Sequence, residues 1–190
     1  MNDPIALLAQ WIDDAGGMES VEAIAMSLAT AGRNARPSAR IVLLRGLDGR
    51  GLRFYTSYAS RKGRDLSENP HAAAVFYWPQ LQRQVRVEGG VAPLSADESD
   101  GYFDARPRGH RVAAWASEQS EPLESYAVLE ERFAHFDARF EEEVPRPHSW
   151  GGYLLVPSRF EFWQGRPNRM HERTLYLRSA NGWNPTLLQP

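Results

Sequence analysis

The sequence predicts an α+β protein whose core is a mostly antiparallel barrel or sandwich, and three observations predict it. Apolar and polar residues alternate in short runs such as 82–91, a pattern typical of half-buried strands. An Asp-Gly pair at 48–49 and an Asn-Gly pair at 181–182 separate such runs, and both pairs accept the positive φ angles of tight hairpin turns. Helical spacing of apolar residues is clearest over 121–143. We therefore expect about eight strands and three or four helices.

The first element is a short amphipathic helix over 3–15. Asp3 is a suitable N-cap and Pro4 occupies the first helical position. Apolar residues then follow at helical spacing until the glycines at 16–17 end the helix. After it, the alternation of apolar with small residues over 24–28 predicts a half-buried strand.

The central stretch, 40–62, is the one around which we expect a site to form. Its apolar run 40–45 and its apolar-aromatic run 52–56 flank the Asp-Gly turn, so the sequence predicts a hairpin of these two runs. The polar segment 63–69 follows, and Pro70 ends it. This order predicts two neighbouring strands that lead into a short helix.

Ser60, Arg61 and Lys62 stand where the hairpin leads into that short segment. If 63–69 is helical, its free N–H groups and positive dipole end lie beside a hydroxyl, a guanidinium and an ammonium, which together favour an anion such as phosphate. Lys62 is also the only lysine among the 22 basic residues. Basic residues after a strand commonly belong to a solvated loop, and that alternative stays open at this point.

The middle of the chain predicts two more strands, over 71–78 and 82–91. The second is expected to be bent or bulged at its glycines, 89–90. A capping-box spacing at 95–98 then predicts a helix that runs to the Arg-Pro pair at 106–107.

The C-terminal part begins with 108–121, which fits no element clearly apart from one helical turn over 112–115. The helix 121–143 is expected to pack an apolar face on the core. The remaining strands are expected over 152–157, 159–164, 174–178 and 183–188. We expect one domain, 1–190, made of the helix 3–15, a barrel core 22–94, a helical segment 95–143 and C-terminal strands 151–190.

The composition favours a globular intracellular protein. Hydrophobic residues make up 42% of the chain, as in globular proteins. The net charge of -2 and the pI near 6.2 give no indication of a nucleic-acid or anionic-membrane partner. The absence of cysteine excludes disulfides and thiolate chemistry and fits a reducing cytoplasm. Signal-peptide and membrane-helix patterns are missing, so we expect a cytoplasmic protein. The five histidines lack metal-binding spacings, and no metal site is expected.

The segment 163–173 is a second candidate site. It places Trp163, His171 and three arginines between two predicted strands, and so combines anion binding, a titratable ring and an aromatic wall. If the segment is extended, Arg169, His171 and Arg173 share one face. A weaker third cluster near a helix end consists of Tyr102, Arg106, Arg108, His110 and Arg111.

Taken in order, these motifs resemble those of the pyridoxamine 5'-phosphate oxidase family, FMN-dependent enzymes that make pyridoxal 5'-phosphate. The similarity runs from about Asp3 to Pro190. The motifs that carry it are Arg40-Ile-Val-Leu-Leu, Phe54-Tyr-Thr56, Ser60-Arg-Lys62, Arg83-Gln84-Val85, Arg106-Pro107, Ala114-Trp-Ala-Ser117 with Gln119-Ser120, Glu161-Phe-Trp-Gln-Gly165 and Arg169-x-His171-x-Arg173. Their combination and order make the resemblance specific.

The resemblance implies a split β-barrel homodimer with FMN at the subunit interface. The FMN-binding residues that it implies are Arg40, Tyr55, Thr56, Arg61, Lys62, Gln84, Gln119, Ser120, Trp163 and Arg173. The substrate-binding residues that it implies are Arg45, Tyr102, Arg106, His110, Arg169 and His171. Arg169 and His171 would lie against the pyridine ring as the catalytic candidates. The implied reaction moves a hydride from C4' of a phosphorylated substrate to the flavin, with O2 as acceptor and release of H2O2.

Three departures from the family pattern concern the substrate. Arg45 stands where the family has a phosphate-binding lysine, and His110 stands where it has a serine. Arginine keeps the charge of lysine but changes its reach, whereas histidine is bulkier and titratable. We also expect no counterpart of the family's basic N-terminal extension, since the chain starts near its first helix. The resemblance therefore supports FMN more directly than it supports the substrate.

Two alternative functions remain open. Phenazine-biosynthesis flavin oxidases share this fold and resemble the chain at 169–173 and 188–190. Tyr102, Arg45 and the Trp-Gln-Gly of 163–165 favour the pyridoxamine branch, because a cationic pocket with a tyrosine suits a phosphate monoester better than a carboxylated tricycle. The other alternative is a protein that stores or senses FMN or pyridoxal phosphate without turnover.

Overall fold

The computed structural model describes residues 3–190, which form six α-helices and nine strands. The helices are α1 (Pro4–Asp14), α2 (Val21–Ile24), α3 (Arg61–Glu68), α4 (Ala96–Asp104), α5 (Arg108–Ala116) and α6 (Tyr126–Arg139). The strands are β1 (Ala25–Ala31), β2 (Pro37–Leu43), β3 (Gly46–Asp48), β4 (Gly51–Ser57), β5 (His71–Trp78), β6 (Arg83–Pro93), β7 (Trp150–Gln164), β8 (Glu172–Ser179) and β9 (Gly182–Leu188). No helix among these residues is long and apolar enough to cross a membrane.

All nine strands belong to one antiparallel sheet in the order β2-β1-β5-β6-β7-β4-β3, with β8 and β9 added beyond β7. The 15-residue strand β7 organises it, because its first half pairs with β4, its second half pairs with β8, and β6 follows it along its length. The register of β6 and β7 shifts between Glu88 and Gly89, beside the glycines where a bulge was expected. The extra residue is Ser158, so the bulge lies in β7 and not in β6. This curled sheet with peripheral helices confirms the predicted α+β split-barrel class.

Two apolar clusters hold the helices on the sheet. In the larger one, Leu8 and Ile12 of α1 pack on inward-facing residues of the sheet such as Phe54 and Phe76, all nearly inaccessible to solvent. A smaller cluster joins α4 and α5 to the start of β7 through Phe103, Val112 and Trp150 and is extended by α6. The helical segment is therefore packed separately, against one end of the sheet.

The opposite face of the sheet is open at β2, β1 and β5. Ala29 is paired with Ala39 on one side and with Ala73 on the other, and Ser27 is likewise flanked by Ile41 and Val75. These small and apolar side chains alternate with buried ones, and Ile41 is 65% exposed. The result is a flat face of low polarity on the outside of the chain.

The predicted hairpin of 40–45 with 52–56 is wrong in its first strand. The run splits, because β2 pairs with β1 along its whole length and only the short strand β3 pairs with β4 across the Asp-Gly turn. The backbone shows where the split occurs. The Leu44 N–H donates to Ile24 O, whereas the Arg45 N–H donates to Arg53 O. A tight turn joins β3 to β4, but it consists of Gly49 and Arg50, and the positive φ lies at Gly51 and not at Asp48 or Gly49. The expected helix after β4 forms, but it begins at Arg61 and not at 63.

Several other expected bounds differ from the structure. The helix 121–143 is shorter, because the Ser125 side chain caps it and accepts from Val128 N. Its apolar face packs on a core as expected, but that core is the smaller apolar cluster beside α5, and the face is only half-buried. The expected strands 152–157 and 159–164 are one strand, β7. Helix α2 was not expected, and α5 is longer than one turn. The single-domain division of 1–190 stays a prediction, and residues 1–2 lie outside the described residues.

Candidate active site

A cavity of about 850 Å³ lies between β2, the N-terminus of α3, the end of β4 and the helical segment. Eleven of the sixteen predicted site residues line it: Arg40, Arg45, Tyr55, Thr56, Arg61, Lys62, Tyr102, Arg106, His110, Gln119 and Ser120. Its lining contains five arginines, one lysine and one histidine but no carboxylate. Such a cavity attracts anions, because its positive charges are not balanced within its own wall.

Ser60 begins helix α3 at this wall. Its hydroxyl accepts from the Gly63 N–H at 3.3 Å and donates to Ser57 O at 2.7 Å, so it joins the strand end to the helix start. Gly63 is needed there, because a Cβ at this position would lie 2.6 Å from the carbonyl carbon of Tyr58 and closer still to its oxygen. This close approach aims the free N–H groups of α3 and its positive dipole end at the cavity.

Lys62 is the buried cation of this end of the cavity, with only 7% of its surface exposed. Its Nζ donates to Thr56 Oγ1 and to Gln119 Oε1, both at 3.0 Å, and to Ser60 Oγ at 3.3 Å. All three acceptors are neutral. Burial, with a smaller contribution from the charge of Arg40, lowers the pKa of the Lys62 ammonium to about 8. A buried ammonium without a carboxylate partner fits the phosphate of a cofactor.

Arg40 lies beside Lys62 on β2, and its guanidinium is tied to the protein. Nη1 donates to Leu28 O at 3.1 Å and to Thr30 Oγ1 at 2.7 Å, while Nη2 donates to Ser38 Oγ and lies 3.8 Å from Asp65 Oδ2. Burial lowers the pKa of the Arg40 guanidinium, Asp65 opposes that shift, and Arg61 adds to it. Arg40 thus lends charge to this end of the cavity while most of its donors are used within the protein.

The other end of the cavity is built on stacked aromatic rings. Tyr55 and Tyr102 stack with ring centroids 3.7 Å apart, and Trp150 lies almost parallel to both. The guanidinium carbon of Arg106 lies 4.6 Å from the Trp150 ring centroid. Arg106 Nη1 is buried without a hydrogen-bond partner, and burial lowers the pKa of this guanidinium. An unsatisfied buried cation beside a cavity calls for an anionic ligand.

Arg45 and His110 complete this second cationic end. Both side chains line the cavity and both residues are exposed. His110 lies in the first turn of α5, where its N–H donates to Pro107 O. The two residues that depart from the family pattern therefore share one wall with Arg106, which places three basic groups around the same end.

The remaining five predicted residues, Gln84, Trp163, Arg169, His171 and Arg173, do not line this cavity. Three of them are paired across strands, since Trp163 lies between Gln84 and Arg173 on the outer face of the sheet. The His171 ring lies 4.7 Å from the Trp163 ring. Twelve residues of β7, about 40 Å along an extended strand, lie between Trp163 and Trp150, the residue of that strand that lines the cavity. One chain therefore carries two separate groups of predicted site residues.

The expectation that Arg169, His171 and Arg173 share one extended face is wrong. Residues 167–169 form a 3₁₀ turn in which Asn168 and Arg169 both have positive φ, and β8 begins only at 172. His171 Nδ1 instead accepts from the Arg166 N–H at 3.2 Å. The turn therefore separates Arg169 from the strand that carries Arg173.

Three residues that the sequence reasoning did not single out belong to these groups. Trp150 supports Arg106, Asp65 contacts Arg40, and the buried Glu161 holds Arg173, accepting from Nε at 3.0 Å and Nη2 at 2.7 Å. Glu161 begins one of the family motifs, but its partner lies on the next strand. Only the pairing of distant segments shows what these side chains contact.

Solved structures support the class of protein. The fold superposes on PhzG from Burkholderia lata, solved in complex with tetrahydrophenazine-1-carboxylic acid, with a TM-score of 0.94 and 35% identity over 100% of this chain and 94% of the other. An FMN-binding, pyridoxamine 5'-phosphate oxidase-related protein from Nostoc punctiforme has the same fold, with a TM-score of 0.75 and 21% identity over 98% and 95%. Fold and cavity together define the class: a flavin-binding split-barrel protein.

The sequence comparisons identify the family. A family model described as pyridoxamine 5'-phosphate oxidase matches residues 19–140, and one described as the pyridoxine 5'-phosphate oxidase C-terminal dimerisation region matches 150–190. Proteins named pyridoxine/pyridoxamine 5'-phosphate oxidase from Thermosynechococcus vestitus and Salinibacter ruber are 53% and 54% identical, over 99% and 100% of this chain and 89% and 90% of theirs. The chain belongs to the pyridoxamine 5'-phosphate oxidase family of FMN-dependent oxidases. The expected family, enzyme class and FMN cofactor are confirmed, and the dimerisation region supports the expected homodimer.

Proposed function

We propose that the protein oxidises pyridoxamine 5'-phosphate or pyridoxine 5'-phosphate to pyridoxal 5'-phosphate, with O2 as acceptor and release of H2O2. With the amine as substrate, water hydrolyses the oxidised product and ammonia is also released. The observation that carries the proposal is a single cavity with two cationic ends, one of them built on stacked aromatic rings, and with no carboxylate in its lining. A flavin mononucleotide and a phosphorylated substrate each bring one phosphate, so two anion sites are what their joint binding requires.

The FMN phosphate is assigned to the end formed by Arg61, Lys62 and the N-terminus of α3. The buried Lys62 ammonium has only neutral partners there, and the capped helix adds free N–H groups. Thr56 and Gln119 would orient Lys62, because their side chains hydrogen-bond each other at 2.8 Å as well as the ammonium. Arg40 adds positive charge, and Tyr55 and Ser120 line the path towards the other end.

The substrate phosphate is assigned to the end formed by Arg45, Tyr102, Arg106 and His110. Arg106 is the anchor, since its buried Nη1 lacks a partner and its guanidinium is fixed on the Trp150 ring. Tyr102 would offer its hydroxyl beside this guanidinium. A dianionic phosphate gains more than a carboxylate from three surrounding basic groups.

The second group of residues is assigned to the other subunit of a homodimer. Gln84, Trp163 and Arg173 lie on the outer sheet face that continues the exposed small and apolar residues of β5, β1 and β2. The C-terminal dimerisation region covers four of the five residues that the cavity lacks, all except Gln84. We infer that each FMN is held by the cavity of one chain and by Trp163, Arg173 and Gln84 of its partner, with Arg169 and His171 against the substrate ring.

When bound, FMN supplies the redox chemistry, in which the substrate carbon is oxidised and O2 is reduced. The protein's own contribution is positioning and charge. Arg61 and Lys62 fix one end of the cofactor and Arg106 fixes the substrate, which brings the reacting atoms together at no further entropic cost. His171 contacts Trp163 and has one ring nitrogen already used by the Arg166 N–H, so its other nitrogen is left to face the substrate.

A phenazine-type oxidase is the second candidate, favoured by the close superposition on PhzG. Anaerobic mixing of the FMN-loaded enzyme with a panel of substrates separates the candidates. Bleaching of the yellow flavin by pyridoxamine or pyridoxine 5'-phosphate supports our proposal. Bleaching only by a reduced phenazine precursor supports the second candidate, and no bleaching by either class indicates a protein that binds FMN without turnover.

A further inference from the structure

Asp65 of helix α3 is bound to two strands that the helix crosses. Its Oδ2 accepts from Thr30 Oγ1 of β1 at 2.7 Å and from Ser38 Oγ of β2 at 3.1 Å, and it lies 3.8 Å from Arg40 Nη2. Thr30 is 3% exposed and the Asp65 side chain is 16% exposed, so the contacts are largely shielded from water. One carboxylate thus joins the helix to both strands.

Arg40 completes this network from the strand side. Its two terminal nitrogens have four hydrogens between them, and three of these are donated, to Leu28 O, Thr30 Oγ1 and Ser38 Oγ. Nη2 also lies 3.8 Å from Asp65 Oδ2, a distance typical of an ion pair. One Nη2 hydrogen and the Nε–H are left for a ligand. In this arrangement Arg40 mainly stabilises the strands and the helix that form the anion site. Asp65 is its only acidic partner among residues 3–190.

The position of Asp65 on the helix links the network to the cavity. Arg61 and Lys62 form the first turn of α3, and Asp65 lies one turn after Arg61. The helix has only eight residues and buries Leu66 at 4% exposure, so few contacts determine its rotation about its own axis. A polar anchor one turn from the basic residues controls where those residues point.

We propose that Asp65 is a positioning residue for the phosphate of the cofactor. It does not line the cavity, and it acts by holding α3 and Arg40 so that Arg61, Lys62 and the first N–H groups of the helix converge on one point. The proposal rests on the assignment of the FMN phosphate to this end of the cavity.

A purely electrostatic role and a positioning role of Asp65 predict opposite changes in phosphate affinity when its carboxylate is removed. The two roles can therefore be distinguished by measuring that affinity. A carboxylate near a cationic site opposes the binding of an anion, so its removal strengthens phosphate binding if simple attraction and repulsion dominate. If Asp65 positions the basic residues, its removal weakens phosphate binding although the site becomes more positive.

The experiment compares FMN with riboflavin, which has the same ring system but no phosphate. Dissociation constants for both are measured by fluorescence titration of the deflavinated full chain for wild type, Asp65→Ala, Asp65→Asn and Glu68→Gln. Glu68→Gln is the matched control, since it also neutralises one carboxylate of α3, but one that accepts from the Arg33 N–H and not from the Arg40 network. Asp65→Asn keeps the shape and an acceptor oxygen, so it carries the test alone if Asp65→Ala does not fold.

We expect Asp65→Ala to weaken FMN binding about tenfold while riboflavin binding changes by less than about twofold. Asp65→Asn should show a smaller loss of the same kind, and Glu68→Gln should match wild type. Tighter FMN binding, an equal loss of both flavins, or no change in either would overturn the proposal.

An Arg61→Ala, Lys62→Ala double variant separates this inference from the function on which it rests. Selective loss of FMN binding in the double variant, with normal binding in both Asp65 variants, overturns only the role of Asp65. Normal FMN binding in the double variant overturns the assignment of the phosphate to this end, and the positioning role with it.

Discussion

The ammonium of Lys62 is 7% exposed and has three neutral acceptors, an arrangement that burial alone makes unfavourable. A lysine whose pKa is lowered in the folded protein binds its proton less firmly there than in the unfolded chain. A phosphate close to the ammonium restores the proton's affinity, because the two opposite charges stabilise each other. If the FMN phosphate binds at this end of the cavity, as we propose, its binding is therefore linked to protonation of Lys62.

From this linkage we predict a pH dependence of FMN affinity. The pKa of Lys62 is lowered to about 8, so the cation is present below that pH and is lost as the pH rises through it. FMN binding should weaken between about pH 7 and pH 9, by at most about tenfold per unit above pH 8. Dissociation constants at several pH values provide the measurement. Riboflavin is the control, and an equal pH dependence for both flavins would contradict the prediction.

A second residue-scale prediction concerns His171. The ring lies against Trp163 and one of its nitrogens accepts from a backbone N–H. In our proposal the other nitrogen faces the substrate, so loss of the ring should affect turnover more than the hold on FMN. We predict that His171→Ala lowers kcat/KM about 10- to 100-fold while FMN content stays near that of wild type. His148→Ala, at an exposed histidine outside both groups, is the matched control. Unchanged steady-state kinetics in His171→Ala would refute the assignment.

At the scale of the element, helix α3 can pack against the end of β4 only because residue 63 has no side chain. Gly63 lies in its first turn against the backbone of Tyr58, and that contact sets the distance between the helix and the strand end. Alanine is intrinsically the better helix former by about 1 kcal/mol, so sequence preference and packing disagree at this position. Packing must win, because the colliding atoms are backbone and cannot rotate away.

We therefore predict that Gly63→Ala destabilises the protein by about 1–3 kcal/mol and lowers its FMN content. The free energy of unfolding in urea and the flavin absorbance of the purified protein check both effects. Gly101→Ala is the matched control, since Gly101 lies inside α4 and a Cβ added there would meet no atom within 4 Å. That variant should be neutral or slightly stabilising, and equal stability of the two variants would count against the argument.

The elements of this site differ in how far sequence could predict them. The helix after β4 and the basic pair beside its start follow from local spacing, and both are found. The helix begins two residues earlier than expected, so Arg61 and Lys62 lie inside it, and the cap formed by Ser60 was not predicted. The strand that pairs with 40–43 could not be predicted from nearby residues. Both β1 and β4 have the alternating pattern that could pair with it, and only the arrangement of the whole sheet places β1 beside it. Asp65 was missed for the same reason, since its acceptor role depends on Thr30 and Ser38 from distant segments.

At the scale of the whole molecule, strand β7 determines where the two groups of site residues lie. Its first residue borders the cavity and its end carries Trp163, so one continuous strand holds the two groups apart within a chain. In our proposal the active site needs both groups, and another subunit completes it. Sequence could supply the residues of both groups but not their separation, which arises from the uninterrupted course of β7 through Pro157.

This arrangement predicts complementation between inactive variants. Arg61→Ala with Lys62→Ala disables the cavity group, and His171→Ala disables the other group. In a mixed dimer one site carries all the changes and the other carries none, so a mixed dimer should have about half of wild-type activity. The measurement is the activity of mixed dimers purified through two different affinity tags, one on each variant. Mixed dimers no more active than either parent would show that each site is built from one chain.

The solitary lysine has a practical consequence for anyone who labels the protein. Amine-selective acylating reagents have one side-chain target in the whole sequence, and it is a shielded amine that loses its proton in mildly alkaline solution. The extent of acylation of Lys62, read by mass spectrometry, should then report how often the cavity opens. A molecule bound at the Lys62 end of the cavity should protect this amine from the reagent. A chain poor in lysine thus carries a built-in chemical probe at the place where its cofactor is expected.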